Sequence, residues 1–306
     1  MAENGTPRQR PCRPLANNIQ TSISVGKNSL NKQKKMVITS AQNPRVKTTL
    51  RLREGRYRRR QGLFAIDGLR EIDRAIRGGI SIQTAFFCPE RYVRPDEAES
   101  ILARLQANQV EQIEVHPTIL DKMAFGDRAE GILAVAQTPD RSLASLILPT
   151  EKIPLLGVVE RIEKPGNVGA VLRSADGAGL DAVIVADPQT DLFNPNTIRS
   201  SLGTVFTLPV VCATTDETLT WLREHELAIL AARVDGSIPY TEADYSKACA
   251  IVLGAEATGL SEAWAEANVG ELLQAVRLPM LGLADSLNIS AAAAVLFYEA
   301  LRQRSS

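Results

Sequence analysis

The chain has 306 residues, 44% of them hydrophobic and 23% charged, ordinary for a globular protein that buries a core without staples. Its 35 basic and 35 acidic residues cancel overall, yet residues 1–60 hold 15 Lys or Arg against only Glu3 and Glu54, so the front of the chain is built to meet an anion. Four scattered cysteines, two histidines and the lack of a long apolar run or signal-peptide core speak against a disulfide scaffold, a zinc module, a metal site, export and a membrane span, and point to the cytoplasm.

Residues 1–36 are polar and basic without apolar periodicity, and are expected to form a disordered tail. Structure is expected to begin at Val37-Ile38-Thr39-Ser40. The run carrying Arg45, Lys47, Arg51, Arg53, Arg56, Arg58, Arg59 and Arg60 reads as one helix with two cationic faces, suited to RNA phosphates. Strands are expected at Leu63–Ile66, Thr84–Phe87 and Ile132–Val135. Helices are expected at Leu69–Arg77, ended by Gly78-Gly79, and at Glu97–Asn108. Together these make a small α/β domain over residues 37–140. A linker follows near Thr138–Ile153, with Pro139 and Pro149.

The stretch 150–306 repeats a strand–helix rhythm. Short aliphatic runs at Leu155–Val159, Ala182–Ala186, Pro209–Cys212, Ala228–Ala232, Ala250–Leu253 and Ala275–Leu278 lack alternation, as strands covered on both faces do. The fold class is α/β: a three-layer, mostly parallel sheet behind a smaller α/β domain. The last helix, Ile289–Arg302, buries Ala293, Leu296, Phe297 and Ala300.

Three clusters follow strands of this second sheet, where ligand loops belong. The first runs Lys164-Pro165-Gly166-Asn167-Val168-Gly169-Ala170-Val171-Leu172-Arg173, a loop opening a helix whose free amides suit an anion. Spacing alone leaves open whether Arg173 returns to that mouth or is a surface arginine. The nearby Gly177-Ala178-Gly179-Leu180-Asp181-Ala182 matches a dinucleotide fingerprint formally, but it ends a helix and precedes a strand, so it reads as a helix stop. The second cluster is Leu253-Gly254-Ala255-Glu256-Ala257-Thr258-Gly259-Leu260-Ser261. The third is Leu278-Pro279-Met280-Leu281-Gly282-Leu283 with Asp285-Ser286-Leu287-Asn288-Ile289-Ser290, in which Ser286 or Asn288 would cap the final helix.

The three clusters in register (N-x-G-x-x-x-R, G-x-E-x-x-G-x-S and S-L-N-x-S) resemble the SpoU, or TrmH-like, class of the SPOUT superfamily of RNA ribose 2′-O-methyltransferases. The likeness covers about residues 150–306. Residues 38–75, with Ser40-Ala41-Gln42-Asn43-Pro44-Arg45-Val46-Lys47 and Gly62-Leu63-Phe64-Ala65-Ile66-Asp67-Gly68, look like the substrate-binding domain often fused to it. The resemblance implies a trefoil knot, a homodimer and S-adenosylmethionine as cofactor. Carried over by motif, the cofactor residues are Leu253, Gly254, Leu278, Met280 and Leu287. The catalytic set is Asn167, Arg173, Glu256, Ser286 and Asn288.

Family accounts make Arg173 the general base, which is demanding for a guanidinium of pKa above about 12. The alternative has Arg173 clamp the target phosphate while Ser286, Asn288 or water relays the proton. Glu256 is expected to fix its own loop or a dimer contact, and neither histidine is placed for base work. The substrate expected is structured RNA, rRNA ahead of tRNA because of the fused first domain. Competing readings are a non-catalytic RNA-binding or ribosome-assembly protein and a nucleotide-using small-molecule enzyme.

Overall fold

Two sheets organise residues 37–126, 130–266 and 273–305, the parts of the chain described by this computed structural model. The expected basic tail over 1–36 lies outside the described residues. The first sheet contains β1 (Leu63–Asp67), β2 (Ile82–Phe87), β3 (Glu111–Glu114) and β4 (Ile132–Gln137), in the order β1-β4-β2-β3. β4 runs antiparallel to β1 and β2, and β3 runs parallel to β2. Helices α1 (Pro44–Arg51), α2 (Gly55–Gln61), α3 (Leu69–Arg77), α4 (Pro95–Ala107) and α5 (Pro117–Met123) cover its two faces. Alternation along β1 does the sorting: Phe64 and Ile66 pack with Leu69, Ile72 and Leu105, while Ala65 packs with Val46, Leu52, Leu120 and Met123.

The cationic run is two helices rather than one. Asn43 accepts from the Arg45 amide at 2.9 Å and Pro44 starts α1, which stops at Arg51. Leu52 is buried at the turn between the helices, which anchors the break.

The second sheet contains β5 (Leu155–Glu160), β6 (Ala182–Ala186), β7 (Val210–Ala213), β8 (Ala228–Ala232), β9 (Ile238–Pro239), β10 (Cys249–Leu253) and β11 (Leu273–Arg277). Its order is β7-β6-β5-β10-β8-β11-β9, with every neighbouring pair parallel. Helices α6 (Pro165–Gly177), α7 (Pro195–Ser200) and α10 (Ile289–Arg304) put Val168, Leu172, Ile198, Leu296 and Phe297 on one face. Helices α8 (Thr215–Glu224) and α9 (Glu262–Glu266) put Leu219, Leu222 and Trp264 on the other. β5, β6 and β10 are buried along their whole length, which explains their unbroken apolar text. The sequence missed β3 and β9. β3 reads Glu-Gln-Ile-Glu with a single apolar residue, and β9 has only two residues.

The sheets are joined by more than the segment between them. Phe64 of β1 stacks on Phe193 with centroids 4.5 Å apart, and Phe206 lies 5.9 Å from Phe64. Arg74 donates to the Leu202 carbonyl at 2.8 Å, and Arg199 to the Phe125 carbonyl. Beside that contact the Asp67 carboxylate, 9% exposed, accepts from the Phe125 amide at 2.7 Å. Burial pushes its pKa up from 3.8 to about 7, against the pull of the Phe125 amide and Arg199 and with the help of Glu130 and Glu71. Among the described residues no helix is long and apolar enough to cross a membrane, and Cys88, Cys212 and Cys249 are free.

Candidate active site

Four parallel strands, β5, β8, β10 and β11, send their carboxyl ends toward one region, and the loops beyond them build the site. After β5 the chain reaches α6, with Pro165 at its first position and no side-chain cap from Lys164. Asn167 sits in the first turn. Its Nδ2 donates to Glu256 Oε1 in the loop after β10. Asn288 Nδ2 points at Asn167 Oδ1, 3.5 Å away, while its own Oδ1 caps α10 through the Ser290 amide at 2.9 Å. Three loops up to 121 positions apart thus meet through two amides and one carboxylate. Glu256 therefore holds the first cluster rather than only its own loop.

The glycine of N-x-G has a packing reason. A Cβ on Gly169 would lie 2.5 Å from the Thr197 carbonyl oxygen and 2.7 Å from the Ser201 amide, so only glycine lets α6 sit directly on α7. Gly254 is similar: a Cβ there would overlap the backbone of Gly259 and Leu260, where Ala255 and Gly259 exchange hydrogen bonds of 2.9 and 3.1 Å that fold the loop back on itself. The formal dinucleotide fingerprint spans the end of α6, capped at Ala178, and the start of β6, as its position in the text required.

Beside the junction lies a cavity of about 590 Å³, the size of a small-molecule site. Leu253, Gly254, Leu278, Met280 and Leu287 all line it, as do Glu256 and Ser286. Ile289 and Leu296 of α10 close its apolar floor. Asn167 and Asn288 stand at the junction and Arg173 stands off the wall. Arg173 is exposed on α6 and, among the described residues, has no hydrogen-bond or ion-pair partner. A single copy of the chain thus brings together four of the five catalytic candidates and leaves the arginine apart.

Two features escaped sequence reading. The loop after β8 supplies Arg233, Val234 and Asp235 to the cavity wall, with Arg233 Nε and Nη2 paired to both Asp235 oxygens at 2.8 and 2.9 Å. Its signal was only that charged residues follow a parallel strand. With Glu256 and Asp285, Asp235 gives the wall three carboxylates against one guanidinium, a surrounding that favours a cationic ligand. The other feature is Glu160 at the end of β5, with no exposed surface. It accepts from the Ser261 amide at 2.8 Å, the Ser261 hydroxyl at 2.6 Å and the Thr215 hydroxyl at 2.8 Å. It therefore ties the far end of the loop that carries Glu256 to the strand that leads to Asn167.

The cationic helices divide by role. Lys47, Arg56 and Arg59 are exposed and, among the described residues, lack an ion-pair partner. Arg51 and Arg60 lie over the Tyr57 ring at 4.1 and 5.3 Å, guanidinium planes beside an aromatic face. Arg45 pairs with Glu111 at 2.5 Å, and Arg53 donates to the Lys122 and Ala124 carbonyls at 2.6 and 2.7 Å. Arg58 corrects the expectation drawn from the run. Its side chain is 4% exposed and its Nε binds Asp191 Oδ2 at 2.7 Å, so it faces the interior and not a ligand. His116 caps α5 and His225 ends α8 stacked on Trp221, both away from the cavity.

A parallel sheet with a folded-back loop pocket at its carboxyl edge places a small-molecule cavity where open α/β sheets carry their ligands, and a small α/β unit with exposed cations is joined to it. Comparison with known proteins makes this specific. Residues 154–298 match the SpoU rRNA methylase family and residues 43–134 the MRM3-like substrate binding domain. A 23S rRNA (uridine(2479)-2′-O)-methyltransferase of Streptomyces viridochromogenes is 31% identical over 261 residues, covering 81% of this chain and 85% of that protein. The crystal structure of an RNA 2′-O ribose methyltransferase superposes with a TM-score of 0.76 at 40% identity, over 89% of this chain and 100% of the other. An AdoMet-bound rRNA methyltransferase from Sinorhizobium meliloti gives 0.78 at 28% identity, over 87% and 97%. The chain belongs to the SpoU rRNA methylase family.

Proposed function

We propose that this protein is an S-adenosylmethionine-dependent methyltransferase that modifies a ribose 2′-hydroxyl of rRNA. The observation that carries the reading is the Glu256–Asn167–Asn288 junction at the edge of a cavity walled by Leu253, Gly254, Leu278, Met280, Ser286 and Leu287. The cavity fits the cofactor by chemistry: aliphatic side chains for a purine and a methylene stem, carboxylates for the positive charges of its sulfonium and ammonium. When bound, S-adenosylmethionine supplies an electrophilic methyl group.

The chain's residues then have to place a sugar oxygen and take its proton. Asn167, its amide oriented by Glu256 and Asn288, holds the ribose edge. Ser286 offers a hydroxyl on the cavity wall that relays the 2′ proton, accepting it as its own proton passes to a water molecule. Arg173, exposed on α6, binds the phosphate beside the target, and it serves as base only if such an anion redistributes its charge. Positioning of this kind carries much of the catalysis in a displacement reaction. An RNA target follows from the 2′-hydroxyl, which DNA lacks. Exposed cations on α1 and α2 capture the backbone.

The homodimer belongs to the same proposal. Arg173 lies off the cavity wall of its own copy, and a two-fold pairing that sets α6 of one copy beside the cavity of another would complete the group. The trefoil knot, a cytoplasmic location and a division into a substrate-binding part over 37–140 and a catalytic part over 150–306 complete the proposal.

Titration calorimetry with S-adenosylmethionine, NAD and ATP tests the cofactor, and methyl incorporation into total RNA from a strain lacking the gene tests the reaction. Binding of S-adenosylmethionine alone with label in rRNA is expected. Binding of NAD or ATP in its place favours the small-molecule enzyme, and RNA binding without incorporation favours an assembly protein.

A further inference from the structure

We propose that the ion pair between the buried Arg58 guanidinium and the part-buried Asp191 carboxylate is a positioning element for the RNA: it registers the cationic helices against the helix that carries Asn167, and so selects which ribose reaches the cavity. This inference rests on the RNA-methylation reading above. Arg58 uses its guanidinium in two directions. Nη1 donates to the carbonyls of Leu52 and Arg53 at 2.8 and 2.9 Å, which fixes the turn between α1 and α2 and hence the angle between their cationic surfaces. Nε reaches across to Asp191 in the segment between β6 and α7. The neighbouring Arg56, Arg59 and Arg60 on the same helix are exposed, whereas Arg58 turns inward and bonds Asp191 beside the second sheet.

From Asp191 the connection continues to the site. Asp191 Oδ1 accepts from the Phe193 amide at 2.9 Å, and Phe193 stacks on Phe64. Thr197 of α7, fully buried, donates to the carbonyl of Pro165 at 3.2 Å, two residues before Asn167. The contact at Gly169 seats α7 on α6 with no room for a methyl group. A run of direct contacts thus leads from the cationic turn to the first turn of α6. The pair is also a poor choice for adhesion alone. Removing two charges from water offsets much of their attraction, and the best-attested use of such a pair is to fix registry. Phe64, Phe193 and Phe206 already supply apolar contact between the sheets.

The test uses the full chain, unmethylated rRNA and methyl-labelled S-adenosylmethionine. Asp191→Asn keeps the acceptor for Phe193 and leaves the carbonyl bonds of Arg58 intact while removing the charge it faces. Asp191→Glu restores the charge. The expected result for Asp191→Asn is a fall in kcat/KM for rRNA of about tenfold, equivalent to about 1.4 kcal/mol of coupling, with methylation spread to neighbouring riboses. S-adenosylmethionine affinity stays at the wild-type value, and Asp191→Glu recovers fidelity in part. Arg58→Lys serves as a second variant should Asp191→Asn fold poorly, with the same split expected. Wild-type turnover and an unchanged methylation site in Asp191→Asn overturn the proposal. So does a loss of cofactor binding in proportion to turnover, which marks the pair as structural only. Arg59→Gln with Arg60→Gln separates the two levels of inference. If it leaves KM for RNA unchanged, the RNA face itself is misassigned; if it raises KM while Asp191→Asn does nothing, only the joint is refuted.

Discussion

Replacing Asp67 by Asn isolates one buried carboxyl at the contact between the two sheets. In the folded chain its pKa stands at about 7, against 3.8 for the free group, because burial penalises the charged form. Between those two values the folded state keeps a proton that the unfolded state has lost. Stability from this group is therefore fully present below pH 3.8 and falls with rising pH until the folded group ionises near pH 7. A shift of about three units corresponds to roughly 4 kcal/mol across that window, at about 1.4 kcal/mol per pH unit. Asn keeps an acceptor for the Phe125 amide and has no charge to bury. Denaturant titrations of both proteins at several pH values from 4 to 8 read the difference directly. The stability of Asp67→Asn relative to wild type should rise through this range and level off near pH 7.5. Parallel pH profiles would show that Asp67 is not perturbed by burial, and a difference that shrinks with pH would reverse its sign.

Other substitutions address the site. Glu160→Gln turns a triple acceptor into a group that must present an NH₂ to one of three donors; a loss of about 1–3 kcal/mol in stability is expected, together with weaker S-adenosylmethionine binding by calorimetry. Gly169→Ala forces a methyl group into the α6–α7 contact and should lower the unfolding midpoint by the equivalent of about 1–3 kcal/mol or more. Changing Arg56, Arg59 and Arg60 together to Gln should reduce the slope of log affinity against log salt for RNA by about two to three units if each neutralises a phosphate, with cofactor binding intact.

The short apolar strands and the positions of the three clusters were legible because parallel strands covered on both faces leave unbroken aliphatic text, and ligand loops follow their carboxyl ends. α3 and β6 were read to the residue, since Gly78-Gly79 stops the first and the second is five aliphatic residues long. The cationic run was misread in two ways. Its break is marked locally only by Gly55, the first residue of α2, and is anchored by burial of Leu52, while the inward turn of Arg58 requires Asp191, 133 positions away. Glu160 escaped notice because a carboxylate on a strand end shows nothing in sequence of the hydroxyls that come to meet it. Arg233 and Asp235 lie beyond the three motifs. Their place in the wall follows from β8 lying between β10 and β11, an order that strand text does not reveal.

The most direct measurement is the chemical position of the transferred methyl group. Purified protein, unmethylated rRNA and methyl-labelled S-adenosylmethionine are incubated, and the RNA is digested with alkali, which cannot cleave next to a blocked 2′-oxygen. Label recovered in an alkali-resistant dinucleotide, and lost in Asn167→Ala, is the predicted result. Label released on mononucleotides, marking a methylated base, or no label in any RNA fraction, would contradict a ribose 2′-O-methyltransferase built around Asn167.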